Sequence, residues 1–274
     1  MRRGVAHIAG SCILDAERPL CKRRPIQIAP RIDVLRRRVV GSTISSVERI
    51  GKRVVLMLSS SDAMVIEPRM TGLVLVTEPP TMEHLRLRIR LSGPVSELLF
   101  WDRRGLGTVR LVSPVEFATR YGRAKLGPDA LSITVDELRS RLCTSRRAIK
   151  VALLDQRALA GVGNLYASEL LHLAKIHPAR ACDTLRKPEW QRIHAAMHEV
   201  LQLAILHEGS TLADGTYRNA LNQSGGYQNH HRVYGRAGDS CLSCGKGMVE
   251  RIVQAQRSTF FCKRCQRGGK GLEA

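Results

Sequence analysis

Four cysteines near the C-terminus fall as Cys241-x2-Cys244-x17-Cys262-x2-Cys265. Zn2+ takes a tetrahedral shell of thiolates, and two tight Cys-x2-Cys turns deliver two sulfurs each. The competing readings are disulfides or free thiols; nothing marks the chain as secreted, so disulfides are out of place. Four sulfurs close the shell and leave no position for water, which predicts one structural zinc ion rather than a catalytic one. Such an ion holds a ribbon with too little core to fold unaided. Between the knuckles runs Gln254-Ala255-Gln256-Arg257-Ser258-Thr259-Phe260-Phe261, a polar, cationic hairpin aimed outward.

A second candidate for chemistry is Ala160-Gly161-Val162-Gly163-Asn164-Leu165-Tyr166-Ala167-Ser168-Glu169, set between two helical stretches. Two glycines permit a tight reversal, and Asn164 is a good N-cap for the helix that follows. A helix N-terminus fronted by glycines offers backbone N–H groups to an anion. Ser145-Arg146-Arg147-Ala148-Ile149-Lys150 adds cations beside it. Taken alone, the segment is either a phosphate grip or an ordinary connection with a basic flank.

The elements that must position these residues change character along the chain. From about residue 32 to 112 the pattern is β, with short apolar runs such as Val54–Leu58, Met64–Ile66 and Leu73–Val76. His84 to Leu91 alternates without a break, which places four apolar residues on one face and arginines on a solvated one. Short strands at this spacing predict a sandwich or barrel-like domain. After Leu126-Gly127-Pro128 the period becomes helical over Val135–Cys143, Arg147–Gln156, Leu165–Lys175 and Glu189–Leu206. Residues 213–232, rich in Gly, Asn and Gln, read as a long polar loop. The expected fold is a multidomain α+β chain: a β-sandwich-like domain over 1–118, a helical domain over 119–235 and a zinc ribbon over 236–268.

Composition narrows the partners. The 274 residues suffice for two domains with cores of their own. Lys and Arg number 44 against 24 Asp and Glu, a net charge of +20 that attracts polyanions. No amphipathic Lys/Arg helix with a clean apolar face and no run of eighteen apolar residues occurs, so membranes are excluded as partners. Nucleic acid is the expected partner, and aromatic residues at only 4% of the chain argue against the base-stacking platform that single-strand binders use. The start, Met1-Arg2-Arg3, mimics a signal peptide, but His7 and Asp15-Ala16-Glu17 interrupt any apolar region. A cytoplasmic, nucleoid-associated protein is expected. Cys12, Cys21, Cys143 and Cys182 lack metal spacing and read as packing residues.

With these motifs in order, the chain resembles the formamidopyrimidine-DNA glycosylases of the Fpg/Nei superfamily over nearly its whole length. The resemblance is carried by Gly51-Lys52-Arg53, Met70-Thr71-Gly72, Asp102-Arg103-Arg104-Gly105-Leu106-Gly107, Leu126-Gly127-Pro128 and the 160–169 segment, the family's helix–two-turn–helix. It continues through Val233-Tyr234-Gly235-Arg236 and closes on Gln256 to Cys262. A basic zinc-ribbon protein of RNA metabolism would share the charge and the zinc but not this series.

The resemblance implies a monomeric enzyme that removes oxidised purines, such as 8-oxoguanine and formamidopyrimidines, from double-stranded DNA and nicks by β,δ-elimination. The target nucleotide must leave the stack, and a wedge of side chains fills the gap. Met70 and Arg104 match two wedge positions, and Leu106 stands where an aromatic is usual, which weakens stacking. Lys52 matches a catalytic loop lysine near the lesion. Arg257 matches the zinc-hairpin arginine that clamps phosphate there. Lys150 and Asn164 match phosphate-gripping positions, with Arg146, Arg147 and Tyr234 as further DNA contacts. His84 lies where the family has a DNA-contacting histidine pair, with Met82 in its partner's place. One departure concerns the nucleophile, an N-terminal proline opening a Pro-Glu-Leu-Pro-Glu segment. Met1-Arg2-Arg3-Gly4-Val5 instead resembles the helix that follows that segment, so the expectation is a start codon lying further upstream. The alternative is a catalytically inactive lesion-binding protein of the same fold.

Overall fold

The computed structural model describes residues 1–122, 124–212 and 215–267. They form two compact units, Met1–Gly122 with His207–Gln228, and Arg123–Leu206 with Asn229–Ala274.

The first unit is a sandwich of two sheets. Its strands are β1 (Ile13–Glu17), β2 (Gln27–Ala29), β3 (Ile44–Ile50), β4 (Arg53–Leu58), β5 (Ala63–Glu67), β6 (Gly72–Leu75), β7 (Leu85–Leu91), β8 (Glu97–Asp102) and β9 (Thr108–Val112). One sheet runs β1-β7-β8-β6 and the other β2-β9-β5-β4-β3. Alternate residues of both sheets point inward, so Leu56, Met64, Ile66, Leu87, Ile89 and Phe100 share one core with Val5 and Ile8 from the N-terminal turns. Helix α1 (Arg2–Val5) enters that core, and α3 (Pro114–Tyr121) closes the unit. Ser113 and Glu116 form a reciprocal capping box at the start of α3, which fixes where the last strand gives way to helix.

Two expectations for this unit need correction. The β pattern does not begin at residue 32, because Ile32–Val39 is helix α2. Its Leu35 and Val39 are buried, while Arg36, Arg37 and Arg38 fall in the last turn, where cations suit the helix dipole. Arg36 and the strand residue Arg90 both bind the Asp15 carboxylate, at 2.5 and 2.7 Å, and drive it down to about 2. Nor does β7 put four apolar residues on one face. A register shift between Leu85 and Leu87 turns Leu85 into a separate cluster with Leu73, Leu75, Leu99 and Trp101. At that bulge Arg86 is buried, 2% exposed, so the arginine face of the strand is not uniformly solvated.

The second unit carries α4 (Val135–Leu142), α5 (Ile149–Leu153), α6 (Asn164–Leu173), α7 (Lys187–Leu206) and the hairpin β10 (Val249–Gln254) to β11 (Arg257–Cys262). Helix α7 buries Trp190, Ile193, Met197, Val200 and Leu201 along one stripe. Helix α5 is shorter than the expected Arg147–Gln156 because Ser145 and Asp155 hold the chain outside it: Ser145 accepts from the Arg147 amide, and Asp155 accepts from Arg147 and the Arg157 amide. Among the described residues no helix is long and apolar enough to cross a membrane.

Candidate nucleic-acid interface and metal centre

In the second unit the site is built around one buried amine. Lys150 is 1% exposed, and its Nζ donates to Asn164 Oδ1 at 2.7 Å, Ser258 O at 3.0 Å and Thr259 Oγ1 at 2.7 Å. Asn164 in turn donates from Nδ2 to Ser258 O at 3.0 Å. These bonds gather α5, the start of α6 and strand β11 onto one point. No carboxylate is in the set. Burial, with Arg257 nearby as a like charge, brings the Lys150 ammonium down to about 8. Asn164 is not the N-cap; Gly163 occupies that place and Asn164 is the first helical residue. Its side chain is thereby freed from capping to reach the hairpin.

The loop between α5 and α6 is stapled by Gln156. Its Oε1 accepts from Gly161 N at 3.0 Å, and its Nε2 donates to Leu154 O and Val162 O at 3.0 and 3.1 Å. Gly161 has φ 112, a conformation closed to most side chains. At the hairpin tip Ala255 and Gln256 both adopt positive φ, 45 and 60, as a two-residue turn of the I′ kind requires. That turn sets Arg257 opposite Gln254 with its side chain exposed.

Below the hairpin the four cysteines converge. Their sulfurs lie within 4.8 Å of one another, with Cys241–Cys265 at 3.8 Å and Cys244–Cys262 at 3.9 Å. A tetrahedron of Zn–S bonds near 2.3 Å has edges of about 3.8 Å, so the set fits a zinc ion. The amide of Gly247 points at Cys244 Sγ, and amides of Lys246 and Gly247 hold that thiol down to about 6, whereas burial pushes the Cys262 and Cys265 thiols up. Behind the cluster, buried Gln266 accepts from Cys262 N and donates to Ile176 O, and it meets His172 Nδ1 at 3.0 Å. The other ring nitrogen of His172 lies 2.9 Å from Ser243 Oγ and 4.0 Å from Cys241 Sγ.

In the first unit a buried carboxylate organises two loops. Asp102 is 0% exposed; its Oδ1 accepts from Thr71 Oγ1 and Arg104 N, and its Oδ2 from Gly107 N at 2.7 Å. The loops before β6 and after β8 are thus tied together, with Met70 71% exposed and Arg104 Nη1 3.4 Å from Met70 Sδ. Gly105, at φ 62, lies where a Cβ would strike the Arg24 carbonyl. Leu106 is half-buried beside it. Lys52 is exposed on the two-residue turn joining β3 to β4, where Gly51 at φ 56 makes the hairpin possible.

Those arrangements agree with sequence comparison. The profile of the formamidopyrimidine-DNA glycosylase N-terminal domain matches residues 1–109, that of its H2TH domain 126–215, and a zinc finger found in FPG and IleRS 238–268. A formamidopyrimidine-DNA glycosylase of Chloroflexus aurantiacus is 38% identical over 250 residues, spanning 88% of this chain and 86% of its own. One from Desulforamulus reducens is 35% identical, spanning 95% and 94%. The Lactococcus lactis Fpg in complex with abasic-site DNA superposes with a TM-score of 0.85 at 29% identity, each chain covered to 97%. The chain belongs to the formamidopyrimidine-DNA glycosylase family.

Of the remaining candidates, His84 and Tyr234 are partly buried while Arg146 and Arg147 are exposed. His84 packs edge-on against Trp101 at 5.3 Å, with a side chain only 15% exposed. Tyr234 stacks edge-on with Phe260 at 5.0 Å. Arg147 is paired with Asp155 at 3.0 Å, while Arg146 is exposed. Sequence reasoning missed the residues that hold these in place. Buried Glu169 accepts from the amides of Arg232, Val233 and Tyr234 at 2.7 to 3.0 Å and so fixes the Tyr234 turn. Asp102, Gln156, Thr259 and Gln266 carry no spacing signal in the sequence, and their role is visible only once their burial and bonds are known.

Proposed function

We propose that this member of the family excises oxidised purines from duplex DNA and cleaves the resulting abasic site by β,δ-elimination, acting as a monomer in the nucleoid. The observation that carries the DNA reading is Lys150, a buried cation held by neutral oxygens with Arg257 as a like charge beside it. A backbone phosphate would relieve that repulsion, accepting from the second Asn164 Nδ2 proton and from Arg257, and from Lys150 in exchange for one of its three present acceptors. Met70, Arg104 and Leu106 sit on loops braced by Asp102, and as a wedge they would fill the gap left by an extruded nucleotide. Lys52, on its tight turn, is the candidate for proton transfer during elimination. His84, Arg146, Arg147 and Tyr234 are proposed as further DNA contacts. One zinc ion held by Cys241, Cys244, Cys262 and Cys265 would fix the hairpin and take no part in the reaction.

The test is a nicking and borohydride-trapping assay on 8-oxoguanine and abasic-site duplexes. The 274-residue chain is expected to bind abasic-site DNA. A chain carrying a Pro-Glu-Leu-Pro-Glu segment ahead of Arg2 is expected to trap and nick. Failure of that chain on every lesion would favour the inactive lesion-binder, and failure of both to bind would remove the DNA reading. Elemental analysis should return about one zinc per chain.

A further inference from the structure

Arg86 is the least reconciled charge in the first unit. Its guanidinium is buried, donating from Nε to the Asp102 carbonyl at 2.8 Å and from Nη1 to Cys21 Sγ at 2.6 Å. Nη2 is buried with no hydrogen-bond partner. The Asp102 carboxylate is taken by Thr71, Arg104 and Gly107, and Glu83 is engaged by Arg23 at 2.5 Å. No carboxylate lies within ion-pair distance of Arg86 among the described residues, although Glu83 is near enough to feel its charge. A buried guanidinium without an anion is a costly arrangement unless something anionic joins it. Cys21, half-buried and flanked by exposed Lys22, Arg23 and Arg24, is the group it points to.

We propose that Cys21 is a modification site for peroxide, and that the oxygen added to its sulfur becomes the partner of Arg86. The thiol, which donates to the Glu83 carbonyl at 2.9 Å in the resting chain, loses its proton to solvent. The sulfur anion attacks one peroxide oxygen, the S–O bond forms as the O–O bond breaks, and the leaving hydroxide takes a proton from solvent to become water. Sulfur is oxidised by two electrons and hydrogen peroxide is reduced by two, giving sulfenic acid. Arg86 supplies positive charge and donors to the sulfur anion that reacts and to the oxyanion that results. Cys182 shows the contrast: fully buried, its thiol is pushed up to about 11 by burial, and no buried arginine donates to it.

The full-length, zinc-loaded protein is exposed to dilute hydrogen peroxide with a 1,3-dione probe for sulfenic acid, and labelled peptides are quantified by mass spectrometry. Cys21 should be labelled about tenfold faster than the half-buried Cys12 and Cys143, the scale of one charge-assisted hydrogen bond. Arg86→Gln should remove that advantage and leave Cys12 and Cys143 unchanged, whereas Arg86→Lys should keep part of it. The comparison among three cysteines of the unaltered chain stands even if Arg86→Gln fails to fold. Labelling of Cys21 no faster than Cys12 and Cys143, or an advantage that survives in folded Arg86→Gln protein, would overturn the proposal.

Discussion

Asp102 and Lys150 are two buried charges that the molecule treats in opposite ways. Asp102 is surrounded by donors from its own loops, so its charge is consumed in holding the Met70 and Arg104 loops together. Lys150 receives only neutral oxygens and lies near Arg257, so its positive charge is left for something else. Burial alone therefore does not tell a brace from a binding group. What tells them apart is whether the neighbours satisfy the charge or merely orient it.

Removing each hub separates the two roles. Asp102→Ala leaves Thr71 and the amides of Arg104 and Gly107 without their acceptor and should destabilise the first unit by about 3 kcal/mol, read from urea unfolding. Lys150→Met discards a desolvated charge but leaves Asn164 Oδ1 without its donor, while Ser258 O and Thr259 Oγ1 keep other bonds. It should therefore cost less than Asp102→Ala, about 1–2 kcal/mol, yet lower affinity for abasic-site duplex by roughly tenfold or more. If Lys150→Met unfolds as readily as Asp102→Ala, the distinction fails.

A pH titration sharpens it. The folded chain holds the Lys150 proton less tightly than the unfolded chain, whose lysine titrates near 10.5. Between about 8 and 10.5 the unfolded state binds more protons, so this group's contribution to stability rises with pH across that window. DNA affinity should move the other way, falling as pH climbs past 8, and Lys150→Met should lose that fall. A parent chain whose affinity is flat from pH 7 to 9.5 would contradict the assignment.

The smallest effect is expected at the hairpin tip. Arg257→Ala should reduce the slope of log affinity against log salt by about one unit without changing stability. Arg104→Ala should instead weaken binding to lesion-containing duplex more than to undamaged duplex.

Much of this was legible in the chain because the cues are local. The Cys-x2-Cys pairs declare a metal site through spacing alone, and period-two runs declare strands. Helix α2 carries a clear apolar stripe of Ile32, Leu35 and Val39, but at eight residues it spans barely two turns and merges in the sequence with the apolar strand runs that follow. The bulge at Leu85–Leu87 was hidden because a register shift leaves the alternation of the sequence intact. The partners of Lys150 were out of reach, since Ser258 and Thr259 lie more than a hundred positions away and no local rule links them. Motif resemblance marked the residues that would touch DNA; only three-dimensional packing marks Glu169, Gln266 and Asp102, which hold them.

The division of the chain also bears on its synthesis. Residues 207–228 return to the sandwich after the whole of α7, and Ala220 sits in its core while accepting from Val76 N at 3.0 Å. Asn222 adds a bond to the Glu78 carbonyl at 3.0 Å. A ribosome adding 5–20 residues per second delivers that return on the order of ten seconds after Gly122. Until then the nascent sandwich carries an uncovered stretch beside β6, so the first unit, though begun first, cannot be completed until all of α7 has been made, and a fragment ending at Gly122 should be poorly soluble by itself.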